Sequence, residues 1–358
     1  MDVKTDRGAE DHVLIIGGGI AGIAAALKLL SHKPSCRVTI AESTPRLGGK
    51  IAGEIFDGCV IDGGADVCIG AKLRATDAFQ ALGLEQHVIR VNPRMLPTFE
   101  QRDGRLARLP TSFGGELLTF RGGMQELVAI AAASLAGVRI LLNVEITTLS
   151  HRHGRWLATD SASTVHVADA AIIAAPAPAA STLLRSIPVE NSEALNALAY
   201  PATTTVSAAW RESDVPGPLE GTGYLVADGE KALTACTWTS SKNPSHAAPG
   251  VVLLRGYLRG TGFDAVSLLR EEVASTLGIT APPLFTRVYE WSAGIPAYTS
   301  GHEATVRAIT ERLTDVPGVF VAGSSFHGVG IPDCIHSGER AALTAVRYLE
   351  QRQTGEAA

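Results

Sequence analysis

No two cysteines in the sequence are spaced as C-x-x-C. The five present, Cys36, Cys59, Cys68, Cys236 and Cys334, are odd in number and scattered. That pattern argues against a disulfide framework and against a zinc site, so no metal is expected. They read as reduced core thiols of a cytoplasmic protein, with peripheral contact at a membrane as the alternative location. An excess of positive charge is missing too. Thirty-one Lys and Arg face 36 Asp and Glu for a net charge of −5, and no basic run interleaves with aromatics, so a nucleic-acid partner is not expected. The start, MDVKTDRGAEDH, lacks the apolar core of a secretory signal. The most apolar run, VLIIGGGIAGIAAALKLL, is too short and glycine-rich to span a bilayer. No internal repeat or low-complexity linker breaks the chain, and only the tail RQTGEAA reads as disordered.

What is present describes a well-packed globular chain. Hydrophobic residues make up 46% and charged residues 19% of 358, enough for two closely packed domains. HVLII is an apolar run of strand length, followed by glycines and then a helical pattern. Gly17, Gly19 and Gly22 form G-x-G-x-x-G, with Gly18, Ile20 and Ala21 between them. The first glycine permits a tight strand-to-helix turn, the second lets a pyrophosphate approach the backbone, and the third lets helix and sheet pack closely. A second strand, RVTIAE, ends at Glu42, twenty residues past Gly22, where a carboxylate can hold an adenosine ribose. This fingerprint alone does not separate NAD from FAD. The following ESTPRLGGK, with Arg46, Gly48, Gly49 and Lys50, resembles the second FAD motif of the amine-oxidase-like flavoproteins. In VIDGGADVCIG, Gly63 and Gly64 then allow close backbone approach to a flat ring.

Further along, Thr119–Leu135 reads as helical, and VRILLNVEITTL and TVHVADAAIIAAP read as strands. From about residue 181 to 300, ATTTVSAAW, GYLVAD, LTACTWTS and VVLLRGYLRG are short strands separated by glycine, proline and serine, which suggests a mostly antiparallel sheet. Near the C-terminus a strand ends at Ala322–Gly323 and a helix begins near Pro332, where proline's missing N–H costs nothing. The start of that helix can direct its positive end at the edge of a flavin where negative charge collects on reduction.

Taken together, GGGIAGIAAALKL, ESTPRLGGK, FRGGMQELV, TWTSSKNP, IPAYTSGHEATV and AGSSFHGVGIPDCIHSGERAA resemble the protoporphyrinogen/coproporphyrinogen oxidase family of the amine-oxidase-like FAD superfamily. The resemblance implies an α/β fold: a two-dinucleotide-binding, Rossmann-like FAD domain with a second, mostly antiparallel sheet domain. The first would be discontinuous over 1–95, 119–180 and 300–358, and a reduced substrate domain would take 96–118 and 181–299. By position, the resemblance puts FAD contacts on Gly17, Gly18, Gly19, Ile20, Ala21, Gly22, Glu42, Arg46, Gly49, Lys50, Gly63, Gly64, Ala65, Asp66, Val144, Trp291, Gly323, Ser324, Val329, Gly330 and Ile331. WSAGIPAYTSGH holds no cysteine where covalent amine oxidases attach their flavin, so the FAD is expected to be non-covalent.

One departure bears on function. In the family a largely helical substrate-binding domain stands between the GRLxxLP strand and the GGM helix; here eight residues, Thr111–Leu118, take its place. The implied activity is an FAD-dependent oxidase or desaturase with hydride transfer from a substrate C–H to flavin N5 and oxygen as acceptor. Three alternatives remain: an amine oxidase or desaturase of specialised metabolism, a non-redox flavin isomerase or cyclase, and a subunit whose open flavin face is covered by a protein partner. Among candidates near the flavin, His327 could act as acid or base or bind a carboxylate, against an ordinary loop histidine. Tyr298 could line the pocket, against a core tyrosine. His302 reads as structural, Lys242 and Arg121 as solvated basic residues, and His151 with His153 as a polar hairpin turn rather than a metal pair.

Overall fold

A computed structural model of the protein describes residues 10–92, 94–110, 115–190, 192–227, 229 and 231–354. Five parallel strands lie in the order Arg139–Leu142, Arg37–Glu42, His12–Ile16, Ala170–Ile173 and Val319–Val321. The central strand is covered on both faces, which is why VLII after His12 is apolar throughout rather than alternating. One face carries helix Ile20–His32 and the long helix Ile331–Thr354. Their alanine-rich surfaces, with Ala24 and Ala25 on one and Ala341, Ala342 and Ala345 on the other, let them approach closely. The opposite face packs through Leu14, Ile16 and Ile173 on a three-stranded antiparallel sheet and on helices Ala177–Arg185 and His302–Leu313.

The second large sheet has seven strands, ordered Phe285–Trp291, Thr203–Arg211, Val251–Arg259, Leu233–Trp238, Gly223–Val226, Thr98–Arg102 and Arg105–Arg108. All neighbours are antiparallel except Gly223–Val226 with Thr98–Arg102. Val206, Ala208, Trp210, Trp238 and Leu254 bury one face against helix Ala265–Leu277. By the two-residue alternation of a strand, Thr205, Ser207, Thr237, Arg255 and Tyr257 occupy the other face. That face meets Gly63–Asp66 of the first unit.

The mixed α/β fold with an antiparallel sheet is as expected, and all five cysteines are free and buried. Several local expectations are corrected. TVHVADAAIIAAP holds two strands of different sheets, Val165–Ala168 and Ala170–Ile173. Thr119–Leu135 is not one helix: Leu117–Phe120 is a strand paired with Val88–Arg90, and the helix starts at Met124 because Gly123, at φ +78°, breaks the backbone first. VRILLNVEITTL is two strands in different sheets, divided at Asn143 with its left-handed φ of +57°. The tail is helical as far as Thr354, where Arg352 bonds the Asp169 carboxylate and the Gly154 carbonyl and Gln353 bonds Asp11; its last four residues lie outside the described ones. Thr111–Gly114 of the shortened link also lie outside. Leu117 and Leu118 belong to the strand that follows. Among the described residues no helix is long and apolar enough to cross a membrane.

Candidate functional site

The first strand turns into its helix through Gly17, whose φ is +113° and whose added Cβ would sit 2.6 Å from the Ala174 carbonyl oxygen. A Cβ on Gly22 would lie 2.0 Å from the Gly17 oxygen. Both positions require glycine for packing. Gly19 differs: its φ is an ordinary −68°, and a Cβ there would meet nothing within 4 Å among the described residues. It is the N-cap of helix Ile20–His32, and no side chain caps that end. With open space at Gly19 and no side-chain cap among the described residues, the first turn's N–H groups form an arrangement suited to an anion.

The next loop comes to the same place. Gly48 N–H donates to the Gly18 carbonyl at 2.8 Å, and Gly49 lies against Gly19. Glu42 is buried at the strand end, where its carboxylate accepts from Gly18 N–H at 2.7 Å and Thr44 N–H at 2.8 Å. Its main-chain carbonyl accepts from Val144 N–H at 2.9 Å, which brings Val144 beside it. Two carboxylate oxygens offer about four acceptor sites, so further donors such as ribose hydroxyls can still be accommodated. Arg46 bonds the carbonyls of Leu47, Gly49 and Ile51 and so shapes its own loop. Lys50 reaches the Gly294 carbonyl, with its ammonium 4.4 Å from the centre of the Tyr200 ring. Among the described residues it has no carboxylate partner, and burial pushes it down to about 8.

Gly63–Asp66 is held from above by the seven-stranded sheet. The Gly63 carbonyl accepts from Thr205 Oγ1 at 2.8 Å and from Trp291 Nε1 at 2.9 Å, and the Gly64 carbonyl accepts from Arg255. Side chains are excluded there: a Cβ on Gly63 would fall 2.3 Å from the Tyr289 ring, and one on Gly64 2.0 Å from the Lys50 carbonyl. Asp66 accepts from Tyr257 Oη at 3.0 Å and Lys242 Nζ at 3.2 Å. Burial opposes its ionisation, but Lys242 and Arg255 outweigh it and hold the carboxyl down to about 2. Burial instead pushes Asp62 up to about 7. Lys242 is thus not the solvated turn lysine expected from TSSKNP, because helix Thr239–Lys242 turns its side chain inward to Asp66. Asp66→Asn would leave the buried Arg255 and the half-buried Lys242 short of a counter-charge and cost about 3 kcal/mol, read as a shifted urea midpoint.

The C-terminal loop gathers a further set. Gly323, at φ +96°, donates its N–H to Ser337 Oγ, and Tyr298 Oη donates to the Ser324 carbonyl at 2.7 Å. The Tyr298 ring stacks on His302 with centroids 4.1 Å apart. His302 is buried at the start of its helix, in keeping with a structural role. His327 is half-buried, and burial lowers its pKa, with Arg340 and His302 acting in the same direction. That direction favours the neutral imidazole. Val329 is exposed beside Gly330 and Ile331 at the start of the long helix. Sequence reasoning missed Tyr200, whose hydroxyl accepts from Ala177 N–H and shares a hydrogen bond with Ser325 Oγ, and Arg255, on strand Val251–Arg259 of the second sheet. His151 and His153 belong to a hairpin whose turn holds His153 at φ +52°. Among the described residues no cluster could hold a metal ion.

Beside this assembly, next to the shortened link, lies a cavity of about 270 Å³. Met95, Thr98, Leu117, Leu225, Ala235 and Lys242 line it, and Met95 and Leu225 are exposed.

The description "Flavin containing amine oxidoreductase" belongs to a family model that matches residues 20–113 and 110–344. The two pieces meet within the GRLARLP-to-GGM link. Coproporphyrinogen III oxidase of Bacillus subtilis is 26% identical over 466 aligned positions, covering 94% of this chain and 98% of that protein. With only 358 residues here, that relative carries stretches without a counterpart. Coproporphyrinogen III oxidase of Propionibacterium freudenreichii is 32% identical over 63% of this chain, and the chain spans 44% of its length. A crystal structure from Exiguobacterium sp., provisionally called a protoporphyrinogen oxidase, superimposes with a TM-score of 0.82 at 22% identity, covering 95% of this chain and 99% of that one.

Proposed function

The chain belongs to the flavin containing amine oxidoreductase family, and from that premise we propose an oxidase of the porphyrinogen-oxidase type that binds FAD without a covalent bond. The observation that carries this reading is the open space at Gly19, before an uncapped helix start and beside the loop of Lys50. That cradle fits a diphosphate. Glu42 and Val144 would receive the adenosine end, and Gly63–Asp66, Trp291 and the Gly323–Ile331 loop the flavin end. When bound, a flavin supplies the acceptor for a hydride from a substrate C–H, and oxygen can then take the electrons.

The chain's own contribution is placement. The helix start at Ile331 would direct its N–H groups at developing negative charge. Neutral His327 could accept or hold a proton at a ring nitrogen, and Tyr298 is fixed by Ser324 and His302 beside it. The substrate assignment is tested by mixing the yellow protein anaerobically with coproporphyrinogen III, then protoporphyrinogen IX. Flavin bleaching with appearance of porphyrin fluorescence is expected. No bleaching from either, with the flavin still reducible by dithionite, overturns the porphyrinogen assignment. A second reading, oxidation of a bulky amine or ring, is favoured by the cavity lying beside the short link. It requires cyclic amines to bleach the flavin where porphyrinogens do not.

The charge on Lys50 gives a pH test. In the free protein its folded pKa of about 8 lies below the ordinary 10.5, so the unfolded chain binds more protons between those values. Relative to Lys50→Met, the free protein should therefore gain stability as pH rises from 8 to 10.5. A bound diphosphate draws the proton back. The FAD dissociation constant should then rise above pH 8, by at most about tenfold per unit for one proton, and this slope should vanish in Lys50→Met. Equal slopes in fluorescence titrations of the two proteins would remove Lys50 from the diphosphate.

A further inference from the structure

We infer that one internal water molecule binds between the Asp62–Asp66 segment and the seven-stranded sheet, held by the Arg255 guanidinium and the side-chain carbonyl of Asn243. A cavity of about 10 Å³ lies there, walled by Asp62, Asp66, Ser207, Thr237, Asn243 and Arg255 among others. Its volume is close to the minimum that admits a single water and far too small for an organic ligand.

The unsatisfied groups around it are specific. Arg255 is 3% exposed and Asn243 5%. One terminal nitrogen of Arg255 donates to the Gly64 carbonyl, but its Nε and the other terminal nitrogen have no hydrogen-bond partner among the described residues. The second of these is 3.8 Å from Asp66, beyond hydrogen-bond reach. Asn243 Oδ1 is likewise buried without a partner. Buried polar groups in folded proteins are nearly always satisfied by protein or by ordered water, and three orphaned atoms on two residues that wall one cavity call for a shared partner.

The polarity of those atoms identifies it. A guanidinium only donates and an amide oxygen only accepts. The smallest molecule that answers both is water, accepting from Arg255 and donating to Asn243. Its second proton faces the Asp62 and Asp66 carboxyls on the same wall, giving the two to four partners that internal waters have. The site positions more than itself. Arg255 also carries the Gly64 carbonyl, so a water that fixes the guanidinium also fixes the backbone of Gly63–Asp66 against the sheet.

The test needs no flavin and stands apart from the functional reading. A high-resolution crystal structure of the unliganded protein should show one spherical density within hydrogen-bond distance of Arg255 and Asn243 Oδ1. A void there, or a direct bond between those two side chains, would overturn the assignment. Asn243→Leu keeps the bulk and removes the acceptor, so the density should be lost in its crystal; density retained at the same point would overturn the role given to Asn243. The wild-type crystal decides the main question if that variant fails to fold.

Discussion

Gly338→Ala will destabilise the protein, and Gly338→Val will destabilise it further. The glycine lies within helix Ile331–Thr354, where a Cβ would fall 2.0 Å from the Ala21 carbonyl oxygen, 2.9 Å from its carbon and 3.1 Å from the Ala25 nitrogen. All three are backbone atoms of helix Ile20–His32, so no side chain can swing aside. Helix propensity alone predicts the opposite sign, because alanine exceeds glycine by about 1 kcal/mol in a helix interior. The contact has to win. Overpacking of this kind costs about 1–3 kcal/mol for a small group, and the larger valine should exceed about 4 kcal/mol. Urea unfolding of Gly338→Ala decides: a raised midpoint would mean that the two helices can part without penalty. Since Ala21 stands within the glycine fingerprint, in the first turn of its helix, any parting would also displace the Gly17–Gly22 turn.

Gly338 shows where legibility in the sequence ends. The first fingerprint could be read because all its glycines fall within six residues and each answers to a local requirement: Gly17 to a turn, Gly22 to the carbonyl five residues before it. Glu42 was legible by its distance along one βαβ unit. The helix start near Ile331 was legible because proline and glycine mark it locally. Gly338 answers to a carbonyl more than three hundred residues earlier, and nothing around HSGERAA records that contact. The inward turn of Lys242 was hidden for the same reason, since its partner Asp66 is distant in sequence and TSSKNP looks like any solvated turn. Arg255 read only as part of an apolar strand, VVLLRGYLRG, although a lone arginine at the centre of such a strand was the available signal. The errors at Thr119 and at Asn143 have another cause. Both are backbone breaks at single residues, Gly123 and Asn143, and apolar periodicity does not register a change of φ.

Gly19→Val should give a folded protein that has lost its flavin. Gly19 stands in the same fingerprint as Gly17 and Gly22, but its surroundings are opposite in kind: ordinary φ, and nothing within 4 Å of an added Cβ. Steric conflict inside the protein cannot therefore explain a glycine there. The remaining cost to the free protein is that of an N-cap, where glycine is preferred to valine by up to about 1 kcal/mol. With FAD the balance changes, because valine would fill the space in front of the first-turn N–H groups. Hydrogen bonds to a charged partner contribute about 1.5–3 kcal/mol each. Loss of only two exceeds about 2.7 kcal/mol, so the dissociation constant should rise at least about a hundredfold. The paired measurement is thermal unfolding of the flavin-free protein and FAD titration by fluorescence quenching. Gly22→Val is the control, since its Cβ would strike the Gly17 oxygen and should remove fold and flavin together. A Gly19→Val protein that is yellow, with wild-type affinity, would put the diphosphate somewhere other than this helix start. The reading of Glu42, Lys50 and Gly63–Asp66 as parts of one cofactor site would fall with it, because the Gly18–Gly48 backbone bond makes the helix start and the Lys50 loop a single wall.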